Sequence, residues 1–134
     1  MRLGQSFYFA DRTLEPHCWF VLSDPSKAPE TVIANASTKH EGKPELTPIA
    51  VGEHRPPLGQ PCYFRWDRLR IVASAKLTEL LKTHTISASR DMSPALLEKA
   101  QQGLLISDDA KNAAKRILEA QGITRIERQG QAAT

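Results

Sequence analysis

HCWFVLSDPSKAPETVIANASTKH, residues 17–40, holds two apolar runs of nearly equal length with a turn between them. His17 to Leu22 and Thr31 to Ala36 are rich in β-branched and aromatic side chains and are too short for stable helices, so both read as buried strands. Between them, Ser23, Asp24, Pro25 and Ser26 supply turn chemistry: Asp and Ser bond back to nearby amides, and Pro fixes its own φ. Two such strands are expected to lie antiparallel side by side. The start of the first then lies beside the end of the second, which brings His17 close to Ser37, Thr38 and Lys39.

Working outward, further strands are expected near Gln5 to Ala10, Glu45 to Ile49, Cys62 to Trp66 and Arg70 to Ala73. Eight of the nine prolines precede residue 62, and every aromatic lies at or before Trp66. Pro is tolerated in turns and at sheet edges but breaks helix interiors, so the front of the chain reads as short strands joined by loops. The longest loop runs from Ala50 to Pro61 and carries His54 and Arg55.

After Ala73 the hydrophobic period becomes that of helices. Leu77, Leu80 and Leu81 share one face of a short helix opening near Ser74, and Thr85 to Asp91 reads as a linker. Ser93 followed by Pro94 is a helix start, with Ser able to cap free amides and Pro in the first helical position. Leu96, Leu97, Ala100 and Leu104 form its apolar stripe, which Gly103 is expected to end or kink. A second start is expected at Ser107 with Asp108 and Asp109, and Gly122 ends that helix.

At 134 residues the chain is long enough for one domain with a real core. The expected organisation is a β-rich domain over 1–90 with one short helix, a helical extension over 91–123 and a flexible tail over 124–134. The fold class is mainly β with C-terminal helices, α+β. Six short strands with local turns are expected to protect their edges in a small, strongly bent barrel or two-sheet sandwich, with the helices over one side or end. No membrane span and no secretory signal is legible, so a cytoplasmic location is expected. Cys18 and Cys62 sit in apolar runs, which favours buried, reduced thiols.

The net charge of +3 is too modest to argue for nucleic acid by itself. Particular groups argue better. An imidazole exchanges protons near neutral pH, a hydroxyl bonds a phosphate oxygen, and an ammonium offsets charge developing there. His17, Ser37, Thr38 and Lys39 together are the groups needed to help a ribose hydroxyl attack its neighbouring phosphate, although strands also end at polar residues simply because the chain leaves the core.

A second cluster is YFRWDRLR, residues 63–70. Guanidinium groups that contact phosphates beside rings on which bases stack make a single-strand binding surface. Strand alternation assigns Phe64 and Trp66 to the core and leaves Tyr63 and Arg65 as surface candidates. The four histidines and two cysteines show no zinc-site spacing, and no phosphate-binding Gly loop or nucleophile elbow is present.

The order of segments resembles the PemK/MazF-like toxins of bacterial toxin–antitoxin systems. LGQSFYF corresponds to the glycine leading into the first strand, and HCWFVLS to a strand ending in serine. TVIANAST corresponds to a strand running into a Pro-Ile-Thr-Ser type turn, and CYFRWDRLRIVASAKLTELL to a later strand, loop and short helix. The match covers about residues 3 to 82.

The resemblance implies a small SH3-like barrel that binds and cleaves single-stranded RNA without a metal or other cofactor, acts as a homodimer and is held by an antitoxin protein. The family's catalytic pair is an arginine at the start of the second strand and a threonine after the third. By position, His17 stands at the arginine and Ser37 or Thr38 at the threonine. Lys39, His54, Arg55, Tyr63 and Arg65 are the expected nucleic-acid contacts. With histidine in place of the arginine, a non-catalytic module of the same barrel class, binding nucleic acid or peptide, is the alternative. A protein-interaction domain of a mobile element is another.

Overall fold

The computed structural model describes residues 1–13, 16–38, 47–49 and 62–126. Seven strands occur among them: β1 Gln5–Phe9, β2 Trp19–Val21, β3 Glu30–Ser37, β4 Pro48–Ile49, β5 Cys62–Phe64, β6 Arg70–Ala73 and β7 Ile86–Asp91. Three α-helices accompany them: α1 Ser74–Lys82, α2 Pro94–Ile106 and α3 Asn112–Ala120. The architecture is α+β. The strands form an antiparallel sheet running β4-β5-β3-β2-β1-β7, an open path with β6 alongside β3.

The turn after β2 closes as its composition dictates. The Asp24 carboxylate accepts from the Ser26 amide at 2.9 Å and from the Ser26 hydroxyl at 2.7 Å. These bonds, the hydroxyl's first, hold the Asp24 carboxyl below the usual carboxylate range. The register beyond the turn pairs Trp19 with Asn35, Phe20 with Ala34 and Val21 with Ile33. β3 is long enough to serve two partners on its other edge. Its end, Ala36 and Ser37, pairs with β5, and its beginning, Glu30 to Ile33, pairs with β6.

Alternation along β2 and β3 divides the core into two layers. One face carries Cys18, Phe20, Leu22, Val32, Ala34 and Ala36, covered by Leu96, Ala100 and Leu104 of α2 and Ala114 and Leu118 of α3. The other carries Trp19, Val21 and Ile33, which pack with Phe7, Ile86 and Leu77 of α1. A strand buried on both faces needs apolar residues in succession, which is why VIANA lacks the polar alternation of a half-exposed strand. The helices therefore lie on both faces of the sheet, and those of residues 91–123 complete its larger core rather than forming a separate layer.

Residues 86–91, expected as a linker, form the edge strand β7. Phe7, Tyr8 and Phe9 pair with Ala88, Ser87 and Ile86. Only Ile86 of the six is buried, so the segment carries no hydrophobic period. Main-chain bonding to β1 makes the strand.

Ser93 Oγ accepts from the Leu96 amide at 3.1 Å, capping α2 as its sequence indicates. Gly103 does not end that helix, which continues to Ile106. Its role is contact: a Cβ there would sit 1.9 Å from Thr47 Oγ1. Ser107 is also not a helix start. Its hydroxyl accepts from the Asp109 amide at 3.1 Å in a local turn, and α3 begins only at Asn112. Side chains of this type compete with the helix for nearby amides, and here the turn wins.

Gly122 ends α3 at φ 82°, with the Ile123 amide donating to Leu118 O and its own amide to Glu119 O, both at 3.0 Å. This is a Schellman closure. α1 ends in the same way, but with exposed His84 at φ 60° in the left-handed position. The chain just before the last described residues is tied down, since Gln102 donates to Thr124 O and accepts from the Ile126 amide, both at 2.8 Å. No helix among the described residues is long and apolar enough to cross a membrane.

Candidate nucleic-acid interface

The antiparallel hairpin of β2 and β3 does what its sequence required. The Ala36 amide donates to Cys18 O at 3.0 Å, so the pairing extends beyond the three residues of β2. Continued one step, that register would oppose His17 to Ser37, with His17 itself in a bend just outside β2 and Ser37 paired on its other edge with Tyr63. Such a pair, flanking hydrogen-bonded partners, is the closer of the two kinds in an antiparallel ladder. His17 is half-buried. Ser37 is 6% exposed. Thr38 is exposed and one residue on, so alternation turns it to the opposite face. Of the two hydroxyls that sequence left open, Ser37 is the one that the continued register would put on the face of His17.

That face continues inward through Trp19 and Asn35. The Arg70 guanidinium lies over the Trp19 ring at 5.5 Å from its centroid, and Phe9 meets the same ring edge-on at 6.3 Å. Arg70 pairs in register with Ile33, two residues before Asn35, and is exposed. This side of the hairpin thus carries an imidazole, a hydroxyl, an amide and an indole, the last three almost fully buried, with the exposed Arg70 guanidinium against the indole.

Arg65 is not the surface residue its sequence neighbourhood suggested. It is 1% exposed. Nε donates to Asp67 Oδ1 at 2.9 Å, and the terminal nitrogen Nη2 to Asp67 Oδ2 at 2.7 Å. A guanidinium taken out of water needs a matched anion, and the two-pronged carboxylate provides one. Its structural duty leaves Arg70 as the cation better presented to a ligand. Tyr63 is half-buried, pairs with Ser37 and Pro48, and packs on the larger core. Phe64 and Trp66 are core residues as alternation indicated, their rings stacked 5.1 Å apart and 8° from parallel.

Cys18 lies on the opposite face of the sheet, with Tyr8 and Ser6 as hydrogen-bonding neighbours. Burial, outweighing those bonds, pushes its thiol up to about 11. Tyr8 is pushed up to about 12, first by burial and then by Cys18, while Arg12 sits 4.0 Å over its ring and opposes the shift. Burial also raises Cys62. Both cysteines are free thiols, and a thiol held protonated at neutral pH is a poor nucleophile.

Lys39, His54 and Arg55 lie outside the described residues. Sequence reading grouped Arg70 with Arg65 and Arg68 but singled out neither Trp19 nor Asn35. The YFRWDRLR cluster did contain Arg70, but nothing in it indicated that Arg65 would be consumed by Asp67. No protein-family model matches the chain. No curated protein matches it either.

Proposed function

We propose that this protein binds single-stranded RNA on the His17–Ser37 side of the hairpin and cleaves it in the manner of the PemK/MazF-like toxins, with the antiparallel sheet as a divergent relative of the SH3-like barrel. The observation that carries this reading is the β2–β3 register, Trp19 with Asn35 and the Ala36 amide on Cys18 O, whose continuation would oppose His17 to Ser37. That arrangement would put a proton acceptor and a phosphate-binding hydroxyl on one face.

Neutral His17 takes the proton of a ribose 2′-hydroxyl as its oxygen attacks the adjoining phosphorus. The bond from phosphorus to the 5′-oxygen breaks, leaving a 2′,3′-cyclic phosphate, and the departing oxygen takes a proton from solvent. Ser37 Oγ donates to a non-bridging oxygen, and Arg70 offsets its growing charge. Arg70 fills the part that an arginine at position 17 would otherwise play, since histidine is not a permanent cation. Binding without cleavage is the second reading, favoured by the near-complete burial of Ser37.

The test is incubation of the protein with mixed-sequence single-stranded RNA in chelator. Cleavage leaving cyclic phosphate ends is expected, with a loss of roughly 100-fold or more in His17→Ala. RNA retarded but uncut by both proteins selects the binding reading. RNA neither retarded nor cut refutes both.

A further inference from the structure

Trp19 Nε1 and Asn35 Oδ1 are buried polar atoms with no hydrogen-bond partner among the described residues. Their residues are 2% and 4% exposed, and they stand directly opposite each other on β2 and β3. One is a donor and the other an acceptor, yet they do not satisfy each other. Each such unmet group costs about 1–3 kcal/mol. A fold that keeps two of them side by side is under pressure to supply a partner that offers an acceptor and a donor together.

Position identifies that partner. The pair lies two residues along the strands from His17 and Ser37, on the same face, a step of about 7 Å at the strand's rise per residue. That is the scale on which a nucleotide's base edge stands off from its phosphate. The exposed Arg70 guanidinium lies over the Trp19 ring and the half-buried Phe9 ring meets its edge, while Phe7, Ile86 and Leu77 share the same core, so a base that reaches the pair has to displace Arg70 or Phe9.

We propose that Trp19 Nε1–H and Asn35 Oδ1 form a donor–acceptor pair that reads the hydrogen-bonding edge of one nucleobase in the strand whose phosphate lies at His17 and Ser37. This rests on the RNA-binding reading above. The Watson–Crick edge of every base carries an acceptor beside a donor, and the spacing of the two protein atoms selects among them.

The experiment uses the whole protein with a randomised single-stranded RNA pool and, separately, an abasic ribose-phosphate chain. The wild type is expected to enrich one base at one position. Trp19→Phe and Asn35→Leu are each expected to reduce that enrichment roughly tenfold, the effect of one lost hydrogen bond, and to weaken binding of the pool more than binding of the abasic chain. A cooperative urea transition in each variant reports that it is folded. In the wild type, the Trp19 indole N–H resonance is expected to shift and gain protection from exchange when RNA saturates the protein.

Unchanged base enrichment in both variants, or an indole signal unmoved at saturation, overturns the base-reading pair and leaves RNA binding standing. A wild type that binds neither the pool nor the abasic chain overturns both.

Discussion

Replacing Gly103 by alanine tests the packing that joins α2 to the sheet. In an exposed helix interior this change would gain about 1 kcal/mol of helix propensity. Here the new methyl carbon would stand 1.9 Å from Thr47 Oγ1, 3.0 Å from its Cβ and 3.3 Å from its Cγ2. Thr47 cannot simply turn away, because its hydroxyl accepts from Trp66 Nε1 at 3.1 Å in the core. Relieving the overlap means moving the helix or rotating the hydroxyl off the indole. Overpacking costs about 1–3 kcal/mol, and an orphaned indole N–H costs about 1–3 kcal/mol more. With the propensity gain subtracted, Gly103→Ala is expected to destabilise the fold by about 1–5 kcal/mol.

The same reasoning makes the two positions non-additive. Thr47→Ala alone loses the indole bond, about 1–3 kcal/mol, but removes the atom that the Gly103→Ala methyl strikes. The double variant is expected to be no less stable than Gly103→Ala alone, giving a favourable coupling at least as large as the Thr47→Ala cost, about 1–3 kcal/mol, within the range for residues in contact. Urea unfolding of the four proteins, followed by tryptophan fluorescence at constant m-value, measures each difference. A Gly103→Ala protein as stable as the wild type, or strict additivity in the cycle, would falsify the close approach of α2 to Thr47.

Two other perturbations probe buried ionisable groups. Asp67→Ala strips the anion from the buried Arg65 guanidinium and is expected to destabilise by about 3–5 kcal/mol, read as a lower urea midpoint. Destabilisation below 1 kcal/mol, the exposed-pair range, contradicts the burial. For Cys18, whose thiol is raised to about 11 in the fold, the native state holds its proton longer than the unfolded chain does. Its contribution is therefore fully present below the ordinary thiol pKa and is lost as pH rises through about 11. Between pH 9 and 11 the wild type is expected to lose stability more steeply than Cys18→Ala, and parallel profiles count against a buried thiol.

The β2–β3 hairpin, with Trp19 paired to Asn35 and Val21 to Ile33, was legible because local chemistry specifies it. A turn of Ser, Asp, Pro and Ser between two apolar runs fixes an antiparallel pairing, and the pleat then fixes which side chains share a face. α1, the capped start of α2 and the glycine stop of α3 were legible for the same reason: each signal acts within about one helical turn. Charge was less so. Arg65 and Arg70 lie five residues apart in a strand-like run with the same apparent exposure, and only the placement of Asp67 buries one of them.

What sequence alone determined is therefore the set of short-range pieces: apolar strands, their main turn, helix caps and the β2–β3 register. Tertiary structure decided what each piece faces. It made residues 86–91 a strand by laying them beside β1, used Gly103 for contact with Thr47, put helices on both faces of β3, and isolated Trp19 Nε1 and Asn35 Oδ1 on a shared face. These outcomes depend on contacts between residues distant in the chain, where burial and steric fit outweigh local propensity and leave no periodic trace in the sequence.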